Sequence, residues 1–469
     1  MEFSENAKFD ITIEPFSSGK NRLTISTSDL NNNPITDMDG LKVKISNPSK
    51  NIRPIEIPMK ENSQDTTELF EGEVTFGFSG TWVILVEMQR LENVNENLEI
   101  SVSVKPHLEN IRTQTTEFEF PEDATPLFPI YDKKGSIWIS DPLKSRIWKF
   151  DIKDEQFQKF EFEGMSSIML EMDGDGNVWF TDIPNSKIGK FDPDTGEFQL
   201  YELPTHLIPR DQNPIAISLL PDNENNIWIT ITNKNTILKL EPSTGEFTDY
   251  LLPTKDSGPF ALELGPENNI WYSGTISGKI GVIDVKTGEI KEFIPDEPLE
   301  GPEAMIFDSE NNLWIAEHTG SAITKFNPLL ETFERITVPD EEALPFGMLF
   351  DKYQNLWFAQ HVVDNIGIYD PINQEFLEIK IPTPESFTQF VTIDDEENIW
   401  FVEQQSNKLG KIEISEVPNL SIQTNDESLS FDIKYSHIVA PVFTIGIIVS
   451  SLFFVKSVKG KRRLDEKIV

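Results

Sequence analysis

Asn177-Val178-Trp179-Phe180-Thr181-Asp182 is a short strand with a tryptophan near its centre, and it returns six more times along the 469-residue chain. Trp138, Trp179, Trp228, Trp271, Trp314, Trp357 and Trp400 are spaced 41, 49, 43, 43, 43 and 43 residues apart. Six of the seven follow an asparagine by two positions, and Ser136 is the exception. A fixed period of about 40–50 residues with several strand-like runs per unit marks propeller blades rather than a helical solenoid. The pattern predicts an all-β, seven-bladed propeller over residues 115–415.

One unit supplies the grammar of the rest. Residues 167–172 read as an inner strand, 173–177 as a turn, 178–182 as the Trp strand, 187–191 as a third strand, 192–196 as a second turn and 197–202 as the outer strand. The third strand recurs at Lys279-Ile280-Gly281, Asn365-Ile366-Gly367 and Lys408-Leu409-Gly410, and its glycine suits a close approach of another chain segment. Blade seven lacks a convincing outer strand, whereas Thr116-Glu117-Phe118-Glu119-Phe120-Pro121 reads as an outer strand with no blade before it. The ring is therefore expected to close by adding this N-terminal strand to the last blade, which removes two open sheet edges.

Residues 1–106 carry seven alternating runs, at 9–16, 21–28, 41–46, 54–59, 69–76, 81–87 and 98–104, separated by turn residues. Seven short strands in about 100 residues predict a small immunoglobulin-like β-sandwich, with Trp82 in its core.

Composition narrows the function. The chain has no cysteine, which excludes disulfides, thiolate metal sites, a cysteine nucleophile and a cysteine-linked lipid anchor. Forty basic against 79 acidic side chains give a net charge of −39, which excludes nucleic acid as the natural partner. Residues 438–455 hold no charge, a length close to that of a bilayer's hydrocarbon core. Six basic residues against two acidic ones follow in 456–469, making this tail +4 and everything before it −43. Basic flanks stay cytoplasmic, so residues 416–437 are expected to be a stalk, 438–455 a single transmembrane helix and 456–469 a basic cytoplasmic tail. The bulk of the chain is then extracytoplasmic, on the cytoplasmic membrane. Met1-Glu2-Phe3-Ser4-Glu5 has neither the basic nor the apolar part of an export signal, so such a signal is expected upstream or already removed.

The repeat also serves as a ruler for chemistry. Three positions after each Trp stand Asp141, Asp182, Ile231, Gly274, Glu317, Gln360 and Glu403; four after, blades five and six carry His318 and His361, two of only five histidines. Glu303, at the start of blade five's inner strand, is expected on the same rim, because that strand runs antiparallel to the Trp strand. The pair of imidazoles with the carboxylates there, Glu303 and Glu317 among them, could hold a divalent ion or do acid–base work, with Glu303, His318 and His361 as the candidate acid–base groups and Glu317 as a candidate ligand. Asp173-Gly174-Asp175-Gly176-Asn177 resembles the start of a calcium loop.

The repeat Asn-x-Trp-Phe-Thr-Asp, followed by Lys187-Ile188-Gly189-Lys190-Phe191 and Tyr201-Glu202-Leu203-Pro204-Thr205, resembles the streptogramin B (virginiamycin B) lyases over residues 115–415. The resemblance implies a seven-bladed propeller, a carbon–oxygen lyase that opens a cyclic depsipeptide by elimination, and Mg2+. It also implies catalytic histidines at inner-strand starts of the form Pro-His-Ala-Ile. The matching stretches here are Asn213-Pro214-Ile215-Ala216, Gly258-Pro259-Phe260-Ala261, Gly301-Pro302-Glu303-Ala304 and Leu344-Pro345-Phe346-Gly347, and none contains histidine. The metal-binding glutamate of that family maps onto Glu403, one residue out of step. Phe9-Asp10-Ile11-Thr12-Ile13-Glu14-Pro15 with Gly80-Thr81-Trp82 resembles the small sandwich domains of copper-resistance proteins, which would imply extracytoplasmic metal handling. The sequence thus favours a membrane-anchored, cell-surface propeller that binds a small molecule, a peptide or a surface protein. A magnesium-dependent lyase or hydrolase is the alternative reading, and metal handling by the N-terminal region is a further one.

Overall fold

A computed structural model describes residues 2–418 except 5, 6, 34, 36, 63–68, 92–94, 163 and 208–212. The stalk from residue 419, the apolar stretch 438–455 and the basic tail lie outside the described residues. Among those that are described, no helix is long and apolar enough to cross a membrane.

The N-terminal region forms two antiparallel sheets. One carries the strands Ala7–Glu14, Gly19–Asp29 and Leu69–Phe76, edged by the two-residue strands Glu2–Phe3 and Lys60–Glu61; the other carries Met38–Asn47, Ile52–Ile57, Gly80–Arg90 and Asn95–Val104. Alternation sets the faces: in Gly19–Asp29, Asn21, Leu23, Ile25 and Thr27 are buried while Lys20 and Arg22 are exposed. Inward residues of both sheets, Phe9, Leu23, Ile25, Val43, Ile45, Val74, Phe76, Ile84 and Val86, share one core around Trp82. Trp82 donates its indole N–H to the Phe78 carbonyl at 2.9 Å and lies edge-on to Phe76. The buried Lys105, at the end of this region, pairs with the buried Asp370 of blade six, and Ser79 N–H donates to Glu416 at 2.8 Å.

The rest is a closed ring of seven four-stranded antiparallel sheets. Blade one runs from Pro129–Tyr131 to Gln156–Glu161, blade two from Leu170–Met172 to Phe198–Glu202, and blade three from Ala216–Pro221 to Glu246–Leu251. Blade four runs from Pro259–Leu264 to Ile290–Phe293, blade five from Pro302–Phe307 to Thr332–Thr337, and blade six from Pro345–Phe350 to Glu375–Lys380. Blade seven contributes only Val391–Ile393, Ile399–Glu403 and Lys408–Glu416; its outer strand is Ile111–Glu119, paired antiparallel over nine residue pairs with Lys408–Glu416. The inner strands touch their neighbours in turn, and the first touches the last. The expected closure by the N-terminal strand is therefore what the chain does.

Two local devices make the blades. An aspartate six residues before Trp accepts the indole N–H: Asp132, Asp173, Asp222, Asp308, Asp351 and Asp394 do so at 2.8–3.2 Å. The same carboxylate accepts the backbone N–H two and four positions on and, wherever Asn stands before Trp, its side-chain amide, as Asp222 does from Glu224, Asn226 and Trp228. Asp173 is one of this set, so the calcium-like stretch is an Asp-anchored hairpin whose carboxylate is already filled by N–H donors. The residue after Trp lies across the third strand. Phe180, Tyr272, Phe358 and Phe401 each cover a glycine, Gly189, Gly281, Gly367 and Gly410, whose added Cβ would sit 2.1–2.3 Å from the ring. Blade one inverts the pair, with Ile139 opposite Trp148, and blade three balances it as Ile229 opposite Leu238.

Candidate functional site

The rim that carries the starts of the inner strands is irregular in a patterned way. Bulges interrupt pairing at 216–219, 259–262, 302–304 and 345–348. A bulge re-aims the side chain within it, and those re-aimed here include Phe260, Glu303 and Phe346. Just before three of these strands, and at the matching place in blade seven, the backbone is left-handed: Gly258 (φ 65°), Gly301 (φ 63°), Leu344 (φ 46°) and Phe387 (φ 57°), each 43 residues from the last. Glycine adopts this conformation freely, whereas Leu and Phe are strained in it by about 1–3 kcal/mol each. Among the described residues Leu344 and Phe387 are the non-glycine members of this 43-residue series, and both adjoin the histidine pair.

His318 and His361, from the turns after the Trp strands of blades five and six, stack nearly parallel with centroids 4.9 Å apart and planes 12° apart. Phe346 meets His318 edge-on at 4.9 Å, Phe387 meets His361 at 4.4 Å, and Phe390 links Phe346 to Phe128 at 4.8 and 4.4 Å. The result is an aromatic patch around two imidazoles. His318 Nδ1 lies 3.3 Å from the Pro345 carbonyl; His361 is 7% exposed and its Nδ1 has no hydrogen-bond partner. Burial lowers the pKa of His318, and burial reinforced by the neighbouring imidazole's charge lowers that of His361 to about 3. Both rings are accordingly neutral near pH 7.

The five candidate residues do not converge on one point. Glu303 sits in its bulge with Thr275 Oγ1 3.5 Å away on blade four, and burial pushes its pKa up to about 7. Glu317 is fully buried and committed: its carboxylate accepts from Glu300 N–H at 2.8 Å and Thr324 Oγ1 at 2.5 Å, and pairs with Arg335 at 3.0 Å. It opens onto a groove of about 330 Å3 beside Arg335, lined also by Ile294 to Leu299 of the segment that follows blade four. Glu403 is also fully buried but faces the closing strand, where its neighbours are Glu117 and Lys408. Asp141 and Asp182, at the same register in blades one and two, likewise hold local structure: Asp141 pairs with Arg146 and accepts from Trp148 and Thr125, and Asp182 accepts from Ser166 and Asn185. Among the described residues no group of three His, Asp or Glu is placed to hold a metal ion. These donors therefore do not fit magnesium.

What the ruler based on Trp missed is the aromatic surround. Phe260 and Phe346 stand where the resembling family places histidine, and Phe387 continues the 43-residue series of Gly258, Gly301 and Leu344. Deeper along the inner strands, Glu171 and Glu263 lie opposite Trp179 and Trp271. Burial raises the first to about 7, and burial with the charge of Glu171 raises the second to about 8.

With this geometry in hand, known proteins give it context. The model of the virginiamycin B lyase family matches residues 107–331 and 287–428. Among solved structures, the selenomethionine-substituted virginiamycin B lyase from Staphylococcus aureus superimposes with a TM-score of 0.58 at 24% identity, over 64% of this chain and 99% of that one. A streptogramin B lyase structure gives 0.59 at 24%, over 65% and 98%. A catalytically inactive histidine-to-alanine variant of the Staphylococcus aureus lyase, with quinupristin, gives 0.58 at 25%, over 64% and 99%. No curated protein sequence matches.

Proposed function

Since this chain belongs to the virginiamycin B lyase family, we propose that it keeps the family's propeller as a binding module, with the ligand or partner docking on the aromatic rim around His318 and His361. The observation that carries this reading is the pair of strained residues, Leu344 and Phe387, at positions where the neighbouring blades use glycine. Strain held at two adjacent blades, beside buried neutral imidazoles, supports a selected surface rather than a packing need. Catalysis has less support. The inner-strand starts hold Ile215, Phe260, Glu303 and Phe346 where the family pattern has histidine, and Glu317 and Glu403 are turned to structural partners. Quinupristin, present with one lyase neighbour, is therefore a compound with which to challenge this chain for turnover.

The test uses the full-length protein in nanodiscs and para-cresol as a neutral aromatic probe, read by saturation-transfer NMR. Transfer to wild type above that to Phe387→Ser is the expected result; equal transfer to both overturns the binding reading.

We further propose that residues 438–455 anchor the propeller to the cytoplasmic membrane with its bulk outside. The charge asymmetry of the sequence supports this reading. Protease added to cells with opened outer layers should cut the propeller, and an uncut propeller refutes the orientation.

A further inference from the structure

We infer that His318 and His361 form a fixed pair of opposite tautomers that offers one hydrogen-bond acceptor and one donor side by side, and that the pair recognises a neutral amide group. This rests on the binding reading above and specifies its ligand class.

The assignment follows from what each buried nitrogen meets. His318 Nδ1 lies 3.3 Å from the Pro345 carbonyl, which can only accept, so Nδ1 carries the proton and Nε2 is left with a lone pair. His361 Nδ1 is sealed from solvent and has no partner. A buried N–H without an acceptor is rarer and costlier than an under-used acceptor, so Nδ1 holds the lone pair and Nε2 carries the proton. The Leu344 carbonyl also acts on the His318 ring, and among the described residues neither Nε2 forms a hydrogen bond within 3.5 Å. The rings lie nearly parallel, 4.9 Å apart, with Phe346 and Phe387 edge-on against them. The stack thus carries one acceptor and one donor, within an apolar surround. An amide offers the complement, a carbonyl to accept from His361 and an N–H to donate to His318. An ester offers only the acceptor. A carboxylate cannot supply the donor, and it must be desolvated without a cation beside it. Sites that hydrogen-bond a neutral polar group discriminate strongly against analogues lacking it, because a buried partner is left unpaired.

The experiment uses the full-length chain labelled with 15N in its imidazoles, with resonances assigned from His318→Gln and His361→Gln. Long-range 1H–15N correlations are expected to show Nδ1–H at His318 and Nε2–H at His361. Benzamide is expected to shift both Nε2 resonances and to bind at least tenfold more tightly than methyl benzoate or benzoate. The same tautomer at both sites, or equal binding of benzamide and methyl benzoate, overturns the inference. If para-cresol still shows its Phe387-dependent signal, the binding reading survives that failure; if neither para-cresol nor benzamide engages the rim, both fall.

Discussion

Replacing Glu403 by glutamine should make the propeller less sensitive to alkaline pH. Glu403 is fully buried on the Trp strand of blade seven, and neither of its oxygens meets a donor. The group that acts most strongly on it, after burial, is another carboxyl, Glu117, on the strand that closes the ring. Glu117 is already occupied, accepting from Lys408 Nζ at 2.6 Å, Thr383 Oγ1 at 2.9 Å and Thr383 N–H at 3.1 Å. A proton on Glu403 solves the problem by donating to Glu117. Burial first, then the Glu117 charge, raises the Glu403 pKa from 4.5 to about 8; Asp364 adds to the rise and Lys408 opposes it. Burial alone would raise Glu117, but the hydrogen bonds from Lys408 and Thr383 and the Lys408 charge hold it below its ordinary range. For Glu403, whose folded pKa is raised, the stabilising contribution is complete below pH 4.5 and is lost as pH climbs through about 8. At about 1.4 kcal/mol per pH unit the distance bounds the loss near 5 kcal/mol, and water penetration leaves a few kcal/mol. Glutamine keeps an N–H donor for Glu117 and does not ionise. Thermal unfolding of both proteins from pH 5 to 9.5 should therefore show the variant gaining several degrees over wild type at the alkaline end, at roughly 2–4 °C per kcal/mol, with little difference at pH 5. Parallel curves for the two proteins would refute the shared proton.

Three more outcomes follow from the packing. Gly189→Ala drives a methyl to 2.2 Å from the Phe180 ring and should cost about 1–3 kcal/mol in denaturant unfolding, with Phe180→Leu restoring part of it. Asp222→Ala leaves the buried Trp228 indole N–H and the Asn226 amide without their acceptor; a loss of about 1–3 kcal/mol is expected in the same assay. Lys105→Met strands the buried Asp370 between the N-terminal sheets and blade six. The expected cost is about 3 kcal/mol, below that of Asp370→Ala, because Asp370 keeps donors from Ile372 and Asn373.

The architecture was legible because it repeats. A tryptophan every 41–49 residues and a missing outer strand in blade seven suffice to place the blades and to close the ring through Ile111–Glu119. The aspartate six residues before Trp was equally readable, in six of seven units, and explains the asparagine between them. The site was legible only in part. Rare residues at equivalent positions, His318 and His361, do meet. The carboxylates mislead, because the register fixes which face of a strand a side chain takes but not which distant residue meets it. Glu317 finds Arg335 on the outer strand of its own blade, and Glu403 finds Glu117 on the closing strand, nearly 290 residues earlier in the chain. The aromatic surround was hidden for a related reason: Phe387 matters through its backbone conformation, and only the 43-residue step back to Gly301 and Gly258 discloses that conformation.

We propose that the chain keeps the lyase family's scaffold as a binding module rather than as a lyase. This reading is tested most directly by incubating the full-length chain with quinupristin and Mg2+ and resolving the intact and ring-opened compound by liquid chromatography. Intact quinupristin after incubation, at enzyme levels that let an authentic virginiamycin B lyase consume it, is the predicted result. Ring opening that is lost in the His318→Gln, His361→Gln double variant would contradict the account.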